Sequence, residues 1–229
     1  MAIVVFDCES DVAFKRLAGL DRRQQFTRMQ ATCVCVICLN EKMETTRELT
    51  LWRDVVADGW KKPFEELLEL FDDARVIVGY NALDFDFPLL KKHYTSERRY
   101  IFHRLKCHDP LVTIRNATDR WFKMDNLLAW NKLATKTGDG LMAIRLWELG
   151  RRDELASYCR RDVQALTELV LLPTLRVDGV GILPNVAFGV SSALKHLESV
   201  SENDDNKDEP NEKWQLIDPV DCADCVDVK

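Results

Sequence analysis

Two acidic residues at the end of a short apolar run are the first candidates for chemistry. Residues 2–6 are apolar and mostly β-branched, which predicts a buried strand, and Asp7 and Glu9 follow them directly. Side chains at positions i and i+2 of a strand share a face, so these two like charges would repel each other. A divalent cation between them would remove that repulsion, because hard cations bind carboxylate oxygens. The alternative is a strand that runs into solvent with both acids hydrated.

A second pair of acids, Asp84 and Asp86, lies between a predicted strand at residues 75–79 and a predicted helix whose first turn contains Pro88. An acid at a helix N-terminus accepts hydrogen bonds from the first backbone amides and interacts favourably with the helix dipole. Capping therefore explains one of these acids. It leaves the other, which lies among apolar residues, without a role.

A third acid, Asp162, falls in the apolar face of a helix predicted at residues 154–172. The apolar residues of that face are Leu155, Cys159, Leu166, Leu169 and Val170, and Tyr158 lies one turn before the acid. A carboxylate in a buried stripe is costly unless something pairs with it. A salt bridge to a buried arginine and metal coordination explain it equally well, but only metal coordination also accounts for the other two acidic sites.

Together these sites supply four carboxylates, from Asp7, Glu9, one of Asp84 and Asp86, and Asp162. Such a set can hold two divalent ions about 3.5–4 Å apart, which bind the attacking and leaving oxygens of a phosphoryl transfer. The residues therefore predict a two-metal site.

The acidic sites resemble the three motifs of the DEDDy 3′→5′ exonucleases, a branch of the RNase H-like superfamily that includes the proofreading domains of B-family DNA polymerases. The matching strings are Asp7-x-Glu9, Asn81-x-x-x-Phe85-Asp86 and Tyr158-x-x-x-Asp162. The resemblance covers about residues 3–172 in order and spacing, and it selects Asp86 over Asp84. It implies an α/β fold, namely an RNase H-like mixed β-sheet flanked by α-helices.

The resemblance also implies an activity, the stepwise hydrolysis of terminal phosphodiester bonds at single-stranded 3′ ends of DNA or RNA, with release of nucleoside monophosphates. Two Mg²⁺ or Mn²⁺ ions would be held by Asp7, Glu9, Asp86 and Asp162. Tyr158 would orient the attacking water, since a phenol with a pKa near 10 is a poor general base at neutral pH. Substrate contacts are expected from Ser10, Asn81 and Phe85, and Phe85 can stack on a base.

This chain departs from the family pattern next to the first motif. Ser10 stands where family members commonly have threonine. Residues 11–25 are largely polar and basic where a short glycine turn is common, which predicts an insertion at the mouth of the site. It leaves the metal ligands unaffected.

Several elements are needed to position these residues. Besides the strands already named, residues 31–39 and 48–52 read as antiparallel strands, and a helix is predicted to begin near Pro63. The later part of the chain reads as helical at residues 127–133, 141–149 and 154–172, with a weaker helical pattern at 186–197. Strands followed by helices predict an α/β layer architecture.

Charge divides the chain of 229 residues into two parts. Residues 1–197 contain 27 acids and 29 bases and are expected to form the catalytic domain, whereas residues 198–229 contain 11 acids and 3 bases. The second part is too polar to repay the entropy of ordering, so we predict a disordered acidic tail. Among its few apolar residues, Trp214, Leu216 and Ile217 allow docking on a protein partner.

No apolar run reaches the ~20 residues of a membrane span, and the N-terminal run lacks the preceding basic residue of a signal peptide. An intracellular protein with reduced cysteines is therefore expected, neither secreted nor membrane-bound. Cys33, Cys35 and Cys38 lie in a predicted strand and read as buried thiols. Cys222 and Cys225 have zinc-site spacing, but the lack of a second pair nearby argues against zinc.

A run of basic residues follows the second motif and consists of Lys91, Lys92, His93, Arg98, Arg99, Arg104 and Lys106. These residues form either a track for a phosphate backbone or solvated helix faces. Two other functions fit the same fold, a structure-selective endonuclease and a non-catalytic nucleic-acid-binding or scaffold module. Tyr158 argues against the first, and the complete set of four carboxylates argues against the second.

Overall fold

A five-stranded mixed β-sheet forms the centre of the protein. The computed structural model describes residues 3–53, 60–135 and 140–184. The strands of the sheet are β1 (Ile3–Ser10), β2 (Ala31–Leu39), β3 (Thr45–Trp52), β4 (Val76–Val78) and β5 (Cys107–His108). Their order is β3-β2-β1-β4-β5, with β1 antiparallel to β2 and parallel to β4. The strand that bears the first acidic pair is therefore the central one.

Helices lie on both faces of this sheet, as the α/β prediction required. They are α1 (Arg22–Arg28), α2 (Lys61–Asp73), α3 (Asp86–Leu90), α4 (Glu97–Leu105), α5 (Pro110–Thr118), α6 (Met124–Trp130), α7 (Gly140–Glu148) and α8 (Arg152–Leu171). A two-stranded hairpin of β6 (Thr174–Val177) and β7 (Gly181–Pro184) follows α8. Among the helices within the described ranges, none is both long enough and apolar enough to cross a membrane.

The alternation of side chains along β1 divides the core into two layers. Ile3 and Val5 face α8 and pack with its residues Leu155 and Cys159. Phe6, on the opposite face, packs with α2 and α3, and its ring lies 4.9 Å from that of Phe71. Because Asp7 and Glu9 share the parity of Ile3 and Val5, the sheet directs both acids towards α8.

Most of the predicted elements are present, with shifted ends. β2 has the predicted bounds and pairs antiparallel with β3, as expected. β1 continues four residues beyond the predicted end at residue 6, because its pairing with β2 runs on to Ser10. The helix predicted at 127–133 begins earlier, at Met124, whose side chain is buried in the core.

Three helices, α1, α4 and α5, and three strands, β5, β6 and β7, were not predicted. α4 has a weak apolar pattern and begins where the side chain of Ser96 caps the backbone amide of Arg99. α5 begins at an Asp109-Pro110 pair, which is a helix-start signal. β5 is only two residues long, too short to show a period.

Some predictions concern residues outside the described ranges. They are the helix at residues 186–197, the disordered acidic tail at 198–229 with its docking segment, and the zinc assignment at Cys222 and Cys225. The proposed division into a domain at 1–197 and a tail at 198–229 stays a prediction for the same reason.

Candidate functional site

The first acidic pair lies on β1 within the sheet. Asp7 pairs with Cys35 of β2, and Glu9 pairs with Cys33. Asp7 is 8% exposed, and Glu9 is half-buried. One carboxylate oxygen from each acid and Sγ of Cys159 on α8 lie within 4.8 Å of one another. The two acids therefore meet beneath α8, as their spacing predicted.

Asp86 reaches the same strand from the first residue of α3. Its Oδ1 accepts a 2.9 Å hydrogen bond from the backbone amide of Cys8. The pairing of β1 with β4 ends at Val5 and Val78, three residues before Cys8. The Asp86 carboxylate therefore accepts the hydrogen bond of the Cys8 amide in place of a carbonyl of β4. Asp86 is 1% exposed, and this bond fixes it beside the strand segment between Asp7 and Glu9.

The turn from β4 to Asp86 is held by Asp109, a residue to which no role was assigned from the sequence. The Asp109 carboxylate accepts hydrogen bonds from the backbone amides of Asn81 (2.9 Å), Leu83 (3.1 Å) and Leu111 (3.1 Å). Burial raises the pKa of Asp109 to about 7, while these three amides act in the opposite direction. The Asp-Pro signal at the start of α5 marks Asp109 as a helix cap, but nothing local shows that it also orders a distant turn.

Close backbone contacts explain two residues of this turn. A Cβ at Gly79 would lie 2.5 Å from Cβ of Ala82 and 3.0 Å from a ring atom of Phe6, so no larger residue fits. Asn81 has φ of 60°, a left-handed conformation that asparagine tolerates better than most residues. The turn thus brings α3 back against β1.

The third acid and its tyrosine lie on the face of α8 that covers the sheet. Asp162 is 4% exposed, Tyr158 is also buried, and both line a cavity of about 130 Å³ beside α8. Burial and then the charges of Asp162, Glu9 and Asp7 hold the pKa of the Tyr158 phenol well above its usual range. The phenol is therefore protonated at neutral pH and lies close enough to both acidic groups to interact with their charges.

Cys159, between Tyr158 and Asp162, was predicted only as part of the apolar face of its helix, and it is buried there. Its Sγ donates a 3.6 Å hydrogen bond to the backbone carbonyl of Asp7. Burial, together with a hydrogen bond that the Cys159 thiol donates to Cys33, raises the pKa of this thiol well above its usual range. A protonated thiol is a poor metal ligand, because the thiolate is the form that binds metals. Cys159 therefore packs α8 onto β1.

The chemistry of the remaining donors fits a hard divalent cation. Three of the four predicted ligands, Asp7, Asp86 and Asp162, are buried carboxylates, and like charges in such surroundings are stabilised by a bound cation. Their donor atoms are oxygens, which suit Mg²⁺ or Mn²⁺ better than softer metals.

The three predicted substrate contacts, Ser10, Asn81 and Phe85, are all buried. Ser10 lies at the end of β1, and its hydroxyl donates to the carbonyl of Val12. Asn81 is buried in the turn, and its Oδ1 has no hydrogen-bond partner among the described residues. Phe85 is only 7% exposed and packs edge-on against Phe14, with ring centroids 5.7 Å apart.

Most of the basic run after the second motif is bound within the protein. Nζ of Lys106 donates to the carbonyls of Phe71 and Asp72 at 2.6 and 2.9 Å. Arg99 pairs with Asp72 and Glu65. These two residues thus have structural partners and do not form part of an open phosphate track.

Lys91 and Lys92, in the same run, also have partners. Lys91 pairs with Glu97 at 3.0 Å, and Lys92 donates to the carbonyls of Phe26 and Met29. Arg98 is exposed. Four cations of the run are therefore engaged within the protein, two by acids and two by backbone carbonyls.

Comparison with solved structures finds the same fold in a much larger protein. The chain is similar to the family B DNA polymerase from the hyperthermophilic archaeon Pyrobaculum calidifontis, with a TM-score of 0.50 and 18% sequence identity. The similarity covers 73% of this chain and 24% of the polymerase chain, so the protein corresponds to about a quarter of the polymerase's length. No protein-family model and no curated protein sequence matches the chain.

Proposed function

We propose that the protein is a metal-dependent 3′→5′ exonuclease that removes nucleoside monophosphates from the ends of single-stranded DNA or RNA. The observation that carries this proposal is the arrangement of Asp7, Glu9 and Asp86 along one end of β1, beneath the face of α8 that bears Tyr158 and Asp162. The fold shared with a DNA polymerase supports a nucleic-acid substrate.

The carboxylates would hold two Mg²⁺ or Mn²⁺ ions, which when bound lower the pKa of a water and stabilise charge on the attacking and leaving oxygens. The Tyr158 hydroxyl orients that water by a hydrogen bond. It does not take the proton of the water, because the phenol itself stays protonated. The amide of Cys8 holds Asp86 in one position, so little reorganisation is needed when substrate binds.

Recognition of the terminal nucleotide is assigned to the turn before α3. The buried Oδ1 of Asn81 has acceptor capacity that no described residue uses, and a sugar hydroxyl of the terminal nucleotide supplies a donor. A buried acceptor left without a donor costs about 1–3 kcal/mol. Satisfying it would therefore favour bound substrate.

A direct test uses single-stranded DNA and RNA labelled at the 5′ end, with the purified protein and Mg²⁺. A 3′→5′ exonuclease gives a ladder of labelled products that shorten one nucleotide at a time, and a chelator abolishes the ladder. Asp86→Asn is the matched inactive control. A first cut at an internal position would indicate an endonuclease, and binding without any product would indicate a non-catalytic module.

A further inference from the structure

The connection between β1 and β2 places uncompensated positive charge beside the acidic site. We propose that this connection, residues 11–30, binds the phosphate backbone of the strand whose 3′ end enters the site; the inference rests on the proposed exonuclease function. Its exposed cations are Lys15, Arg16, Arg23 and Arg28, and Arg16 pairs with Glu148, which leaves Lys15, Arg23 and Arg28. Within the described part of the chain, none of these three side chains takes part in an ion pair.

The connection is anchored to the segment that carries Asp86. The rings of Phe14 and Phe26 pack edge-on against Phe85, with centroids 5.7 and 6.1 Å apart. Nζ of Lys92, six residues after Asp86, donates to the carbonyl of Phe26. The connection is therefore held against α3, and its cations keep a defined position relative to the acidic site.

Specific local contacts also order the connection. Asp21 and Gln24 form a capping box that begins α1, the helix that contains Arg23 and Arg28. The guanidinium of Arg22 lies 3.6 Å from the centroid of the Phe14 ring, so this cation is held by stacking. Positive charge on an ordered surface can bind phosphates with less loss of entropy than charge on a free chain.

The basic run at residues 91–106 provides the contrast. The charges of Lys91 and Arg99 are compensated by acids, and Lys106 is committed to backbone carbonyls. Affinity for a nucleic acid backbone comes from cations that can neutralise phosphates and release counterions. Uncompensated charge next to the site therefore favours the β1–β2 connection over this run.

The test compares two triple variants in the Asp86→Asn background, which separates binding from hydrolysis. The first replaces Lys15, Arg23 and Arg28 by glutamine. The control replaces Lys42, Arg47 and Arg75 by glutamine; these residues lie at the other end of the sheet, where Leu39 pairs with Ile3. Both variants lose three positive charges. In the control, Arg47 and Arg75 pair with Glu66 and Glu41, so the two variants differ in the compensation of the charge as well as in its position.

Fluorescence anisotropy with a labelled single strand is measured at several salt concentrations. We expect the first variant to raise the Kd roughly tenfold at low salt and to reduce the slope of log Kd against log salt by about 2, since each phosphate contact on a single strand contributes about 0.7. The control should keep the Kd and slope of the parent. Arg23→Lys with Arg28→Lys, which keeps the charge, should also keep the affinity.

The outcomes distinguish this inference from the proposed function. Equal strand binding by the two triple variants overturns the inference, even if the parent chain with Asp86 intact hydrolyses the strand. Weaker binding by the first variant alone supports it, even if the intact chain yields no product and the exonuclease proposal fails. Circular dichroism melting of both variants excludes misfolding as the cause of weaker binding.

Discussion

The backbone amide of Cys8 donates its hydrogen bond to the carboxylate of Asp86, 78 residues further along the chain. The donor belongs to the main chain of the central strand, so the position of Asp86 depends on the path of β1 and not on the side chain of residue 8. That side chain points into the opposite layer of the core. The backbone of Cys8 thus positions Asp86, while its side chain packs in the core.

The choice between Asp86 and Asp84 gives the first prediction. Asp86→Asn keeps an oxygen that can accept from Cys8 but removes the charge, so we expect an unchanged melting temperature and a rate lower by at least ~10²–10³, the scale of losing one preorganised contact. Asp84→Asn, at a half-buried position, should have little effect. Steady-state rates on a labelled strand check this, and equal losses in the two variants would contradict the assignment.

Tyr158→Phe should slow turnover by a factor of ~10²–10³ without loss of metal binding. In the proposed mechanism the phenol orients a water and does not itself bind metal. Isothermal titration calorimetry with Mn²⁺ gives the metal affinity, and rate measurements give the turnover. Loss of metal binding together with activity would show that the tyrosine helps to build the metal site.

Two substitutions at Asn81 separate recognition from folding. Asn81→Gly tolerates the φ of 60° and removes the side-chain acceptor, so KM should rise while the melting temperature is kept. Asn81→Ala should in addition lose about 1 kcal/mol of stability, because the left-handed conformation disfavours a Cβ. An unchanged KM in Asn81→Gly would mean that the buried oxygen does not contact substrate.

Stability should depend on pH through His108, which is buried next to Asp109. Burial lowers the pKa of His108 from 6.5 to about 4, so the unfolded chain takes up a proton at a higher pH than the folded one. The contribution of neutral His108 to the free energy of unfolding is fully present above pH 6.5. It falls by about 3 kcal/mol as the pH is lowered towards 4. Urea denaturation of the wild type and of His108→Leu over this pH range measures this contribution as the difference between their free energies of unfolding.

The comparison with His108→Leu is needed because protonation of Asp109 changes the stability in the opposite direction. Burial raises the pKa of Asp109 from 3.8 to about 7, so acidification protonates the folded chain first and stabilises it over that interval. His108→Leu leaves Asp109 in place. The wild type should therefore lose more stability than the variant on acidification, and parallel curves would contradict the assignment to His108.

The last variant removes residues 198–229, which lie outside the described ranges and have a net charge of −8 from 11 acids and 3 bases. An acidic segment competes with nucleic acid for exposed cations, and salt screens this competition. Removal should tighten binding of a single strand, mainly at low salt, and less so when Lys15, Arg23 and Arg28 are glutamine. Unchanged Kd values at low and high salt would favour partner docking through Trp214, Leu216 and Ile217 instead.

The sequence allowed prediction of features that depend on local pattern. Continuous apolar residues fixed the bounds of β2, and the apolar face of α8 made Asp162 stand out as a buried acid. Asp7 and Glu9 were identified because acids seldom follow a buried strand. In each case a charged residue interrupts a pattern that burial imposes, and such interruptions are visible without a structure.

Features that depend on distant partners could not be predicted. The role of Asp109 requires the amides of Asn81 and Leu83, which come from another part of the chain. Arg99 reads as a free cation until the fold brings Asp72 to it. β1 was predicted too short, since its last residues are strand only through their pairing with β2.

The alternation along β1 determines which changes of chain length the protein can accept. Between Ile3 and Glu9, insertion or deletion of one residue would turn the following side chains to the opposite face and direct both acids towards α2. The β1–β2 connection leaves and re-enters the sheet where Asp11 and Gln30 hydrogen-bond each other, so added residues cost only a little closure entropy. Homologous chains should therefore keep β1 constant in length and differ at residues 11–30, which lets substrate preference diverge while the chemistry is retained.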